Sequence, residues 1–167
     1  WRVRAYDIVP QRVAESGALA CSSASDTGRG VDIVLLNLPT NDAVQDAVFG
    51  ERGLVRSVGE PQLIVDFSTI PVEACRSHAA RLQEETGCRW VDAPVSGGPP
   101  ASAAGALTVM AGGTPEDLAR LEPLMRDIAG RCSRVGPVGA GLAAKMINQL
   151  VVGVGHAMLA EAVALCE

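Results

Sequence analysis

Two short stretches hold the residues whose types and spacing could do chemistry. The first, VDAPVSGGPPASAAGALTVMAGG (residues 91–113), runs an apolar strand into a turn made of Ser96, Gly97 and Gly98. The second, GAGLAAKMINQL (residues 139–150), opens a very apolar helix that carries one cation, Lys145, near its start. A turn with two adjacent glycines leaves its backbone N–H groups unobstructed. It can wrap a small anion such as a carboxylate, with the Ser96 hydroxyl as a further donor. A partly desolvated lysine can exchange a proton near neutral pH. Together the two stretches suggest a site where backbone amides hold a small anion while a lysine handles a proton.

Each reading has a plainer rival. Many loops contain Ser-Gly-Gly. What raises this one is the extended pattern around it, with Asp92, Pro94, Gly105, Leu107, Met110, Gly112 and Gly113 at fixed offsets. A lysine at a helix start can simply snorkel to solvent, but a cation near the positive end of a helix is disfavoured. Lys145 is also the only charge on its helix before Glu161. Lys145, Asn148, Gln149 and His156 fall at i, i+3, i+4 and i+11, which puts all four on one helical face. The expectation is a buried helix whose polar stripe lines a cleft. These four residues, with Gly153 and Gly155, interrupt the apolar stretch too often for a bilayer span, which wants about 20 largely apolar residues.

The elements that must position these groups follow from periodicity and punctuation. Residues 2–6 read as a strand ending at Asp7, and Pro10 starts a helix that Gly17 stops. Residues 18–22 suit a short strand, and 23–30 a polar loop with room for a short helix. VDIVLLNL (31–38) and LIVDF (63–67) are continuous apolar runs, as expected of strands buried on both faces of a parallel sheet. Pro39 ends the first, and Asn41 or Asp42 can cap a helix to about Phe49. Ser68 and Thr69 form the turn after the second, and Pro71 sits at the start of a helix over 72–86 that Gly87 closes. Residues 89–95, 106–111 and 132–135 read as strands, with a helix from Pro115 to about Ile128. From Leu142 to Glu167 the chain reads as one helix. Strands alternating with helices over short turns imply a doubly wound α/β sheet.

Strand ends are where ligands bind in such sheets. Asp7 ends the first strand, where a carboxylate can accept hydrogen bonds from ribose hydroxyls and disfavour a 2′-phosphate. Taken alone it reads better as an ordinary strand-end turn residue, and only together with the other segments does it favour NAD over NADP. Leu38-Pro39-Thr40 and Ser68-Thr69 are candidate cofactor walls, with plain strand-to-helix punctuation as an equal rival. A glycine-rich phosphate turn ahead of Asp7 does not occur. GPVGAG (136–141) has the wrong glycine order for that role.

Composition narrows the class. Of 167 residues, 48% are hydrophobic and 20% charged, so the chain is not disordered. Aromatics are only 3%, so the core rests on Ala, Val, Leu and Ile. The net charge of -5, with no basic cluster, gives no support to nucleic-acid or anionic-membrane binding. Cys21, Cys75, Cys88, Cys132 and Cys166 are scattered and odd in number, and His78 and His156 lack ligand spacing. Reduced thiols of a cytoplasmic protein without a metal site are expected.

The 91–113 stretch resembles the substrate-binding motif of the β-hydroxyacid dehydrogenase family, which includes 3-hydroxyisobutyrate dehydrogenase, tartronate semialdehyde reductase and, more distantly, 6-phosphogluconate dehydrogenase. GAGLAAKMINQL resembles its catalytic-lysine motif. YDIVP, LLNLPT and VDFSTI look like three cofactor-contacting segments. The resemblance covers essentially the whole chain. It implies an incomplete Rossmann-type sheet over 1–138, followed at 139–167 by a long interdomain helix that starts an all-helical domain. It implies Lys145 as general acid/base, Asn148 as its orienter and Ser96, Gly97 and Gly98 on the substrate carboxylate. Gln149 would touch substrate, while Leu38, Pro39 and Thr69 would line the NAD site with Asp7 on the ribose. The implied reaction is hydride transfer between NAD and a small 3-hydroxy acid of the hydroxyisobutyrate, tartronate semialdehyde or glycerate type. Asn148-Gln149 departs from the paired asparagines of many relatives and looks more like the tartronate semialdehyde reductase branch.

The resemblance also implies missing parts: a first strand with its glycine-rich loop, and the C-terminal helical domain through which such enzymes usually assemble as homo-oligomers. The chain is therefore expected to be a fragment that binds NAD poorly alone. The missing strand would pair between 2–6 and 31–38. Two alternatives stand beside the dehydrogenase: a catalytically silent dinucleotide-binding module, and an NADP-linked reductase.

Overall fold

The computed structural model describes residues 1–57 and 62–166. It opens with a small parallel βαβ unit: β1 (Arg4–Ala5), α1 (Pro10–Ser16) and β2 (Leu19–Ala20). Gly17 closes α1 at φ 73, as expected of a left-handed helix stop. The strands are shorter than the sequence implies, and they form a sheet of their own. After α2 (Ala24–Gly28), the main sheet begins with β3 (Ile33–Leu36), which pairs with no strand of the first unit. Arg4 ties the two parts together, donating to the Arg29 carbonyl at 2.9 Å and to Asp26 at 3.1 Å.

The main sheet then grows in βα steps. Thr40, rather than Asn41 or Asp42, caps α3 (Asn41–Phe49) by accepting from the Ala43 N–H at 3.1 Å. A 3-10 turn (Leu54–Arg56) precedes β4 (Leu63–Asp66), α4 (Val72–Thr86) follows, and β5 (Arg89–Asp92) lies on the far side of β4. β3, β4 and β5 are parallel and in register, with Leu36, Asp66 and Asp92 side by side at their carboxyl ends.

The expected single strand over 89–95 is two. It breaks at Ala93-Pro94, because proline lacks the N–H that a ladder needs. β6 (Val95–Ser96) then pairs antiparallel with β7 (Leu107–Gly112), across a short helix, α5 (Gly98–Ala103), that periodicity did not reveal. α6 (Pro115–Ile128) leads into β8 (Ala129–Gly136), twice the predicted length and parallel to β7. α7 (Ala140–Ala164) closes the chain; Glu167, where the helix was expected to end, lies outside the described residues.

Alternation along the strands fills two cores. Ile64 and Trp90 face α3 and α4; Leu63, Val65 and Val91 face α6. Both faces of β4 and β5 are covered, as the doubly wound pattern requires. Leu63, Ile64, Val65, Leu82, Leu121 and Leu142 are fully buried, each contributing about 1.5–3 kcal/mol of hydrophobic free energy.

Two burial expectations fail. β3 is a sheet edge, and Leu35 is 45% exposed, so its apolar run is not covered on both faces. α7 is buried only at its first turn, by Gly141 and Leu142. From Met146 onwards its large apolar side chains are exposed. By length and mean hydropathy (1.3) α7 could cross a membrane, although Lys145, Asn148, Gln149 and His156 would carry polar groups into the bilayer.

Candidate active site

The carboxyl ends of β3 and β4 are joined by a chain of side-chain hydrogen bonds. Asp66, the last residue of β4, accepts from the Ser68 N–H at 2.9 Å. The buried Ser68 hydroxyl in turn accepts from the Leu38 N–H at 2.9 Å. Asp66 thus shapes its own turn and, through Ser68, holds the Leu38-Pro39 turn beside it. Thr69 is left exposed at the rim. It lines an open cleft of ≈ 630 Å³ together with Lys145, Met146, Ile147, Gln149 and Leu150 of α7. Five of these six residues are one turn and a half of one helix, so the cleft is built by laying α7 across the strand ends.

The structure therefore brings Thr69, Lys145 and Gln149 together, while Leu38 and Pro39 lie outside the cleft lining, with Leu38 tied to the neighbouring Ser68. Asn148 lies beside Lys145 on the helix and donates its amide to Gln149 at 3.3 Å, outside the cleft lining. His156 is exposed, about 16 Å along the helix axis at 1.5 Å per residue. The 96–98 turn is not part of this cleft. It is reached from β5 through Ala93-Pro94, and its conformation needs glycine: Gly97 and Gly98 adopt φ 125 and 65. Asp7 belongs to the separate small sheet. Its carboxylate accepts from the Val9 N–H at 2.7 Å and faces Arg12 at 3.6 Å.

Asp92 and Asp66 are the residues that sequence reasoning underrated. Both are 1% exposed, on neighbouring strands in register. Asp92 Oδ1 accepts from the Gly139 N–H at 2.6 Å and Oδ2 from the Leu142 N–H at 2.9 Å, clasping the start of α7. Burial pushes the Asp92 carboxyl above its ordinary range, against the pull of these N–H donors. Burial pushes Asp66 up to about 6; the Ser68 contacts oppose the shift and the neighbouring Asp92 charge adds to it. Asp66 Oδ2 has no hydrogen-bond partner, which suits a protonated carboxyl. The signal available was an acid at the end of each apolar run, Leu-Ile-Val-Asp and Arg-Trp-Val-Asp.

The Asp66 shift has a consequence for stability. Its folded value of about 6 exceeds the ordinary 3.8, so the folded state holds the proton more tightly. Stability from this group is full below pH 4 and falls as pH rises towards 6, by about 3 kcal/mol at most. Asp66→Asn keeps the acceptor for Ser68 and removes the ionisation. Thermal unfolding between pH 4 and 7 should lose that downward component. A variant whose unfolding temperature follows pH as the parent's does would contradict the assignment.

The residues present fit part of a dinucleotide. Asp7 offers an acceptor for ribose hydroxyls, and the turns after β3 and β4 offer a wall that ends at Lys145. The 136–141 segment does not offer a pyrophosphate turn, because its Gly139 N–H is already held by Asp92 and its Ala140 N–H by the Pro137 carbonyl.

Residues 1–136 match the family described as the NAD binding domain of 6-phosphogluconate dehydrogenase. The chain belongs to that family of Rossmann-like domains. Among individual proteins, L-threonate dehydrogenase of Cupriavidus necator is 35% identical over 99% of this chain and 57% of its own length. The NAD-dependent L-serine dehydrogenase of Pseudomonas aeruginosa is 37% identical, over 96% of this chain and 54% of its own. The solved structure of Mycobacterium tuberculosis 3-hydroxyisobutyrate dehydrogenase with L-serine superposes with a TM-score of 0.90 at 33% identity, covering 98% of this chain and 56% of that one. The chain spans about half the length of the curated relatives it matches. These relatives bear out the resemblance to hydroxyacid dehydrogenases.

Proposed function

We propose that this chain supplies the cofactor-binding core and the acid/base lysine of an NAD-dependent dehydrogenase acting on a small 3-hydroxy acid. The observation that carries this reading is the cleft in which Lys145 and Gln149 of α7 meet Thr69 at the carboxyl end of β4. Its walls are otherwise the apolar side chains Met146, Ile147 and Leu150, which are exposed in this chain.

When bound, the nicotinamide supplies the hydride acceptor. Lys145 takes the proton from the substrate hydroxyl as the carbonyl forms, and returns it in the reverse direction. Ser96, Gly97 and Gly98 hold the substrate carboxylate through backbone N–H groups and the Ser96 hydroxyl. Asn148 orients Lys145, and Gln149 contacts the substrate at the cleft floor. Leu38, Pro39 and Thr69 line the nicotinamide end of the cofactor, and Asp7 receives the adenosine ribose. Residues 1–138 form the cofactor domain, and 139–167 begin a helical domain whose further helices or partner copy cover the apolar face of α7. The working protein is a soluble cytoplasmic homo-oligomer. The substrate belongs to the hydroxyisobutyrate, tartronate semialdehyde or glycerate group.

The test is NADH formation by the complete gene product against a panel of small 3-hydroxy acids, with NADP in parallel. Turnover of one acid with NAD supports the reading. Cofactor binding without turnover of any acid would favour a silent dinucleotide-binding module. Asp7 gives a second check, because its carboxylate repels a 2′-phosphate. Asp7→Asn should narrow the preference for NAD over NADP by roughly tenfold to a hundredfold, the effect of one charged hydrogen bond. An unchanged ratio of the two kcat/KM values would remove Asp7 from the cofactor site.

A further inference from the structure

Asp92 does something that neither a substrate motif nor a strand end requires. It is buried, it ends β5, and its single carboxylate takes two N–H groups from the first turn of α7: Gly139, the cap position, and Leu142. α7 has no side-chain cap of its own, since the cap residue is glycine. A helix start leaves four N–H groups without partners, and an anion there is favoured by the helix dipole. Asp92 meets both needs from a different element, 47 and 50 residues away in sequence.

The surroundings are shaped for this contact. A Cβ on Gly141 would lie 2.8 Å from Asp92 Oδ2 and 2.9 Å from the Asp92 carbonyl oxygen. A Cβ on Gly112 would stand 2.9 Å from Asp92 Cγ and 2.7 Å from the Pro137 carbonyl oxygen. Both glycines keep their neighbours' backbones close enough for the carboxylate to bridge. The groups facing it are Asp66 from β4 and Cys75 and Arg76 from α4. Asp66, with one oxygen unpartnered, is the member of the acid pair suited to carry a proton, which leaves Asp92 as the anion.

This bridge joins the two halves of the proposed site. From Asp92 the chain runs four residues to Ser96; from Leu142 it runs three to Lys145. We propose that Asp92 is a positioning residue that fixes Lys145 relative to the 96–98 turn by clamping the first turn of α7 to the end of β5. The proposal rests on the acid/base role of Lys145 stated above. Asp92 touches neither substrate nor cofactor in this scheme. It sets where the lysine amine stands.

The experiment compares Asp92→Asn, Asp92→Ser and Lys145→Ala in the complete protein. Asparagine keeps the size and one acceptor but loses the charge and the second acceptor. Expected for a folded Asp92→Asn is a kcat lower by about tenfold to a hundredfold, a misplacement effect, with KM for the hydroxy acid and affinity for NAD within about twofold. The limb of the kcat–pH profile that vanishes in Lys145→Ala should persist. Hydrogen exchange should find the Gly139 and Leu142 amides protected in the parent and faster in the variant. Asp92→Ser is read in the same assays if the asparagine variant does not fold. A folded variant with parental kcat overturns the proposal, as does rapid exchange of both amides in the parent protein. If Lys145→Ala keeps full activity, the lysine reading itself fails, which is a different result from loss in Lys145→Ala with no effect at Asp92.

Discussion

Lys145→Ala should lower kcat for the preferred hydroxy acid by about 10²–10⁴-fold, the usual contribution of a positioned acid/base, while NAD affinity changes little. Lys145 is half-buried, on the second turn of α7, in a cleft whose remaining α7 residues are Met146, Ile147, Gln149 and Leu150. Gln149 is the only other residue of that helix in the cleft with a polar side chain, and an amide cannot carry the proton. Truncation leaves the first turn of the helix untouched, because the backbone contacts that anchor it are made by Gly139 and Leu142. Folding and cofactor binding should therefore survive. Lys145→Arg should not rescue turnover, since a guanidinium keeps its charge at every accessible pH and cannot cycle a proton. Stopped-flow measurement of NADH formation, with cofactor affinity from fluorescence titration, separates these terms. A Lys145→Ala protein with parental kcat would end the acid/base reading.

The fold was legible where local and tertiary demands agree. LIVDF became β4 because a run of that length, buried on both faces, has no competing pattern. α4 runs Val72–Thr86 between Pro71 and the left-handed Gly87, both visible in the sequence. Legibility failed where a distant partner decides. VDIVLLNL has the composition of a central strand, yet its second face lies at a sheet edge, so Leu35 is exposed. The 89–95 run reads as one strand until Pro94 passes its end to β7 in the opposite direction. The expected burial of α7 was inferred from composition, which reports what a helix needs and not what covers it.

The candidate site was legible in its residues more than in its joints. Lys145 stood out by being a lone charge near a helix start, where the dipole argues against it. The structure supplies the missing term: Asp92 places an anion at that same helix start. Nothing local couples positions 92 and 142, so the sequence shows an unfavourable cation without its compensation. Ser68 was similarly read as part of a turn. Its role in tying Leu38 to Asp66 depends on two strands being in register.

Gly141→Ala should be strongly destabilising. Gly141 is helical, so the new side chain costs nothing in backbone conformation and by propensity gains about 1 kcal/mol. Space decides instead. The added Cβ would press into the Met110 carbonyl oxygen and lie 2.8 Å and 2.9 Å from Asp92 Oδ2 and the Asp92 carbonyl oxygen. Two of these three atoms are backbone atoms of β7 and β5, which cannot swing aside as a flexible side chain would. Relief requires α7 to lift from the sheet, which breaks the Asp92 bridge and uncovers Leu142. Overpacking of this kind costs about 1–3 kcal/mol, and loss of two charge-assisted hydrogen bonds adds about 1.5–3 kcal/mol each. A fall in unfolding temperature of roughly 10–25 °C is expected for a chain of this size, with kcat reduced because Lys145 moves with the helix. Gly153→Ala, three turns further on, is the control. Its Cβ meets nothing within 4 Å, so it should be neutral or slightly stabilising. Equal effects at the two positions would mean that α7 does not sit on β5 and β7 as described.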